Sequence, residues 1–130
     1  MRVLIIEDEG RLAENVARSL RESAGYAVDV SLDGEEGAFM AESNPYDLVI
    51  LDLMLPKVHG FEVCRMLKAS PSTRHIPVFM LTAAASTENK VQGFRLGAND
   101  YMTKPFAMPE LLARVESLLR DTRVSESSTP

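Results

Sequence analysis

The sequence has a single cysteine, Cys64, which excludes an internal disulfide and is compatible with a reducing cytosol. It has no surplus of basic residues. Its 14 Lys and Arg stand against 19 Asp and Glu, for a net charge of −5 and a pI near 5.0. A chain with this balance is not expected to grip nucleic acid by itself, because no charge is left over to neutralise phosphates. Long hydrophobic runs are missing too. The apolar stretch 3–6 is cut at once by Glu7, Asp8 and Glu9, so no secretory signal is read there, and nothing approaches the roughly 20 residues of a membrane span. There is no internal repeat, and neither a GxGxxG nor a GxxxxGK phosphate loop. What is present is 130 residues, 45% hydrophobic and 25% charged. That fits one soluble domain with a real core, expected in the cytoplasm.

The stretch that organises the chain is residues 46–56, YDLVILDLMLP. Residues 48–51 read as a strand buried on both faces, and Asp52 follows directly. An isolated carboxylate against an apolar strand is costly. The cheaper arrangement places Asp52 at the strand's carboxyl end, in a crevice shared with cations. Further strands are expected at 3–6, 27–31, 78–81 and 100–102, with helical patterns between them. Leu12, Val16 and Leu20, with Ala13 and Ala17 beside them, form one face of a helix over about 10–23, which Gly25 ends. Asp33, three residues before Glu36, reads as a helix cap. A third helix is expected over about 60–69, with Phe61, Cys64 and Leu67 inward. Ser86 or Thr87 caps a fourth, closed by Gly97. A fifth begins near Pro109, with Leu111, Leu112, Val115, Leu118 and Leu119 as its stripe. Strands alternating with helices predict a parallel sheet with helices on both faces. The last ten residues, DTRVSESSTP, lose periodicity and read as a frayed tail or the start of a linker.

Ligands of open parallel sheets sit outside the carboxyl ends of the strands. There the sequence places Glu7 and Asp8, then Asp52, then Thr82, then Lys104. Taken singly, each has an ordinary reading: a solvated acidic loop, a turn cap, a strand-ending Thr, a Lys-Pro turn. Jointly they predict a pocket of three carboxylates, a hydroxyl and an ammonium. At ~5 Å and an effective dielectric of about 20, each pair of carboxylates repels by roughly 3 kcal/mol. Lys104 offsets one charge, and a hard divalent ion such as Mg²⁺, which prefers oxygen ligands, would offset two more. Such a pocket suits a phosphoryl group, with Asp52 as an acceptor. His59 and His75 lie in expected loops or turns, without neighbours at metal-ligand spacing.

Four segments carry a family resemblance: IIEDE at 5–9, DLVILDLMLP at 47–56 with Gly60, VFMLTA at 78–83 and GANDYMTKPF at 97–106. Over about residues 2–120 the chain resembles a response-regulator receiver domain of the CheY-like, flavodoxin-like (βα)₅ fold. The resemblance implies an α/β domain with a five-stranded parallel sheet in the order 2-1-3-4-5; a member of this family is a standing example of that order. It also implies a receiver over 1–120, with 121–130 leading toward an absent output domain. Asp52 would be phosphorylated by a phosphohistidine on a sensor histidine kinase. Mg²⁺ would be bound by Asp8, Asp52 and the backbone carbonyl of Met54, and through water by Glu7. Thr82 and Lys104 would contact the phosphoryl group, the Lys104–Pro105 bond would be cis, and Tyr101 would be the aromatic partner of Thr82 in a switch. Met54 and Ala84 fall where the phosphoryl lifetime is tuned.

The run 104–120, KPFAMPELLARVESLLR, is similar to the OmpR/PhoB branch of transcription regulators. That branch implies a phosphorylation-dependent homodimer through the fourth helix, fifth strand and fifth helix, with DNA bound only by an output domain. Lys90 with Glu110, and Asp100 with Arg114, match two of its intermolecular ion pairs. Asn99 and Asp121 stand where a third pair is usual, and Ala107 where a capping Ser or Asp is usual. Three other readings compete. A stand-alone regulator would act by protein contact. A haloacid-dehalogenase-like phosphohydrolase usually carries a second Asp two residues after the nucleophile, where this chain has Met54. A pseudo-receiver usually lacks a pocket residue, and this chain has them all.

Overall fold

A computed structural model of the chain describes residues 1–127, with side chains described through residue 121. Strands and helices alternate along it: β1 (Arg2–Ile6), α1 (Gly10–Ala24), β2 (Ala27–Ser31), α2 (Gly34–Ser43), β3 (Leu48–Leu51), α3 (Gly60–Ala69), β4 (Val78–Thr82), α4 (Thr87–Arg95), β5 (Asp100–Thr103) and α5 (Met108–Ser127). The strands form one parallel sheet in the order β2-β1-β3-β4-β5, as expected.

The alternation of side chains along each strand explains the two cores. Val3, Ile5, Leu48, Ile50, Phe79, Leu81 and Met102 point to one face, where they meet Ala13, Val16, Ala17 and Leu20 of α1 and Leu111, Val115 and Leu119 of α5. Leu4, Ile6, Val49, Leu51, Val78 and Met80 point to the other, against Ala38 and Ala41 of α2 and Val63, Cys64 and Leu67 of α3. The middle strand is therefore apolar at every position, because both of its faces are covered. Cys64 belongs to this packing, and burial pushes its thiol up.

The helix starts follow the local chemistry. Asp33 accepts from the Glu36 N–H at 2.7 Å and Ser86 from the Asn89 N–H at 3.1 Å, as expected, so Ser86 rather than Thr87 is the cap. His59 is more than loop surface: its Nδ1 caps α3 by accepting from the Phe61 N–H at 3.0 Å. His75 is exposed. At the start of α5 the Ala107 backbone carbonyl accepts from the N–H groups of Glu110 and Leu111. The structure differs from the sequence reading after Arg120: α5 continues to Ser127. The loss of apolar periodicity there does not end the helix, since DTRVSES contains neither Gly nor Pro to break it. Residues 128–130, the rest of the expected tail, lie outside the described residues. Among the described residues, no helix is long and apolar enough to cross a membrane.

Candidate functional site

Strand register builds the site. Ile6 pairs with Leu51, and the Asp52 N–H donates to the Ile6 carbonyl at 3.0 Å, so the acids after β1 and β3 emerge side by side. Thr82 pairs with Thr103, and the Lys104 N–H donates to the Thr82 carbonyl at 2.9 Å, which brings Lys104 to the same edge. Glu7, Asp52 and Thr82 are buried there, and Asp8 is exposed beside them.

The Lys104 ammonium bridges the two buried acids. It donates to Glu7 Oε1 at 2.5 Å and to Asp52 Oδ2 at 3.0 Å. The other Asp52 oxygen, Oδ1, accepts from the Met54 N–H at 3.3 Å, and Glu7 Oε2 accepts from the Glu9 N–H at 3.1 Å. Burial works to raise the Asp52 carboxyl, but the Thr82 hydroxyl, the Lys104 ammonium and Glu7 outweigh it and hold it below the ordinary carboxylate range. Glu7 goes the other way. Burial drives it up to about 7, against the pull of Lys104 and the Glu9 N–H, and the neighbouring Asp52 charge adds to the rise. Lys104 is held above its ordinary value. Burial opposes its charge, but hydrogen bonds to Glu7 and Asp52 prevail. Two adjacent carboxyl groups are thus pushed apart, and Asp52 is the one held ionised.

Glu7, Asp8 and Asp52 each offer an oxygen, and these atoms lie within 4.8 Å of one another. One ammonium does not balance three carboxylates at that spacing, since each pair repels by roughly 3 kcal/mol at an effective dielectric of about 20. The donor set is all hard oxygen, and its exposed member, Asp8, leaves a side open to solvent. Residues and charge therefore fit a small divalent cation such as Mg²⁺.

Thr82 lies where the sequence places it, its Oγ1 accepting from the Ala84 N–H at 3.3 Å. Tyr101 is buried, not the surface aromatic that its residue type alone suggests. Its hydroxyl donates to the Ala84 carbonyl at 2.5 Å, and its ring lies 6.3 Å from Phe94 of α4. The Lys104–Pro105 bond is cis, as expected. Of the four residues assigned to a dimer face, three are joined within the chain: Arg114 donates to Asp100 at 2.8 Å and to Glu110 at 3.0 Å. Lys90 is exposed on α4. Sequence reasoning missed the loop after Asp52 as a partner of α2. No local signal marks it, since α1 and α3 also begin with glycine and a Cβ on Gly10 would meet nothing.

Fold and site together define a class, the regulatory α/β domains with an acidic pocket at the carboxyl edge of a doubly wound parallel sheet. The chain belongs to the response regulator receiver domain family, which matches it over residues 3–116. It is 50% identical over 121 residues to the DNA-binding dual master transcriptional regulator RpaA of Synechocystis sp., a match covering 93% of this chain and 50% of that protein. The structure resembles the receiver domain of the Francisella response regulator 1452 with a TM-score of 0.86 at 35% identity, over 93% of this chain and 98% of that one. It also resembles the receiver domain of the sensor histidine kinase PA1611 from Pseudomonas aeruginosa PAO1, which holds a magnesium ion coordinated in its active-site cleft. There the TM-score is 0.79 at 30% identity, over 91% and 96% of the two chains. The chain spans about half the length of the curated relatives it matches, among them RpaA and the transcriptional regulatory protein CusR of Escherichia coli.

Proposed function

We propose that Asp52 accepts a phosphoryl group from a phosphohistidine on a sensor histidine kinase. The observation that carries this reading is the placement of Asp52. One carboxylate oxygen faces the Lys104 ammonium and the other the Met54 N–H, with Glu7 and Asp8 within ligand distance. In the transfer, the N–P bond of the donor breaks and an O–P bond to an Asp52 oxygen forms. The leaving ring nitrogen keeps the electron pair of the broken bond, and the imidazole takes up one proton from solvent, since the ionised Asp52 has none to give. Asp52 is suited to attack because its carboxyl is held ionised. Asp8, Asp52 and the Met54 carbonyl would hold Mg²⁺, and Glu7 would reach it through water. The ion would supply the positive charge that neutralises the non-bridging phosphoryl oxygens. Lys104 and Thr82 would contact the same oxygens. The magnesium in the related cleft of PA1611 supports the choice of ion.

The output would pass through Thr82 and Tyr101. A phosphoryl group adds charge and acceptor oxygens at Asp52, and Thr82 moving toward them changes the space beside the Tyr101 ring. Tyr101 packs against α4 through Phe94 and is tied to the β4–α4 loop through Ala84, so α4, β5 and α5 would shift together between states of differing affinity for a partner. A second copy, joined through Lys90, Asp100, Glu110 and Arg114, is that partner. In a longer protein, α5 would lead into a DNA-binding output domain, with the receiver over 1–120 and the linker starting within 121–130. Such a protein would work in the cytoplasm. Labelling with acetyl phosphate tests the core of this reading: phosphorylation should require Mg²⁺ and vanish in Asp52→Asn.

A further inference from the structure

The loop between β3 and α3 carries Met54, whose N–H meets Asp52 Oδ1, and it is fastened at both ends. At its stem, the Gly60 N–H donates to the Leu53 carbonyl at 2.8 Å, and a Cβ on Gly60 would lie 2.3 Å from the Asp52 carbonyl oxygen. At its far side it rests on the start of α2. The Gly34 N–H donates to the Pro56 carbonyl at 3.3 Å. A Cβ on Gly34 would lie 2.3 Å from the Val58 carbonyl oxygen and 3.1 Å from both the Val58 Cβ and the Val63 Cγ2. Lys57, between those two carbonyls, has a φ of 68° and places its ammonium 3.7 Å from Asp33 Oδ2. Gly34 has no positive φ, so its backbone does not demand glycine. What demands it is the approach of a carbonyl oxygen that no side chain would permit. Helix propensity alone favours the opposite choice, since Ala is the better residue in a helix.

We infer that Gly34 is a positioning residue for the phospho-acceptor: by leaving room for the Val58 carbonyl it seats the 54–58 loop, and so aims the Met54 amide at Asp52. This rests on the proposed role of Asp52 for its functional meaning, though not for its geometry. Only three residues lie between Met54 and Val58, with Gly60 pinned beyond, so a push at Val58 has little slack to absorb it. The Lys57–Asp33 pair is exposed on the lysine side and contributes less than the steric seat.

The test uses Gly34→Ala in the whole chain, with three readouts. The Met54 amide resonance in the metal-free protein should move, while the sheet amides of Val49 and Val78 stay in place. By calorimetry, the Mg²⁺ concentration for half-saturation should rise several-fold. Labelling by acetyl phosphate should then need more Mg²⁺ for half its rate, with the rate at saturating Mg²⁺ little changed. Should Gly34→Ala fail to fold, Asp33→Ser replaces it. That variant keeps a capping oxygen for the Glu36 N–H and removes the carboxylate facing Lys57, and the same shifts are expected at smaller size. An unmoved Met54 amide in the folded variant overturns the inference, as does parental Mg²⁺ half-saturation. A parent chain that binds no Mg²⁺ would instead sink the proposed function. The Met54 amide would then decide the positioning role by itself.

Discussion

The Lys104 ammonium lies 3.0 Å from the Asp52 carboxylate, although 52 residues separate them. The same nitrogen holds Glu7, so one cation binds acids from two strands. Removing one partner of a buried ion pair costs about 3–5 kcal/mol. Here the cleft is partly open and Glu7 can take up a proton, so Lys104→Met should cost about 1–3 kcal/mol in the metal-free protein. Mg²⁺ should restore much of the loss by supplying the missing charge. Urea unfolding with a chelator and with saturating Mg²⁺ checks this. An equal loss in both conditions would contradict it.

Glu7 makes stability depend on pH. Its carboxyl rises from 4.5 to about 7 on folding. The folded state therefore binds the proton more tightly, and the stabilisation is complete below the unfolded value and lost as pH rises through about 7. Metal-free protein should lose roughly 1–3 kcal/mol of stability between about pH 4.5 and pH 7.5. Asp52 acts with the opposite sign and in a lower window: its carboxyl is depressed, so its contribution fades only as pH falls below the ordinary carboxylate range. Unfolding measured across pH should show the Glu7 slope, and Glu7→Gln should flatten it. A slope unchanged in that variant would assign the effect elsewhere.

Tyr101 joins β5 to the loop after β4 by its hydroxyl on the Ala84 carbonyl. Tyr101→Phe keeps the ring and loses that bond, at about 1 kcal/mol of stability. It should also weaken the response of self-association to phosphorylation. Sedimentation with and without a beryllofluoride phosphoryl mimic gives the comparison. A response as large as the parent's would remove Tyr101 from the switch.

Arg114 is already paired within its own chain, to Asp100 and Glu110. Both pairs are partly exposed, so Arg114→Ala should change monomer stability by no more than about 1 kcal/mol. A dimer built through this face would exchange these bonds for bonds across the interface. The variant should therefore dimerise less on activation while unfolding at nearly the parental denaturant concentration. Parental dimerisation would take Arg114 out of the interface.

Much of this was legible in the chain. Doubly covered strands read as continuous apolar runs, and residues 48–51 show it at every position. Because all strands run parallel, whatever follows each one falls on a single edge, so Glu7, Asp8, Asp52, Thr82 and Lys104 could be placed together before any distance was known. The features that escaped depend on contacts between distant segments. The seat of Val58 on Gly34, the burial of Tyr101 and the pairing of Arg114 with Asp100 leave no local periodicity, whereas the Glu110–Arg114 pair has an ordinary i,i+4 helix spacing. His59 as a cap was missed because an imidazole rarely serves as one. The continuation of α5 to Ser127 is not legible because an apolar stripe can end while the helix goes on.

The switch stands or falls with phosphoryl transfer to Asp52. Intact-mass measurement after incubation with acetyl phosphate and Mg²⁺, followed by mapping of the modified residue, tests it most directly. The protein should gain one phosphoryl group, located at Asp52, lost with chelator and absent in Asp52→Asn. An equal gain in Asp52→Asn, or no gain in the parent at saturating Mg²⁺, would contradict it.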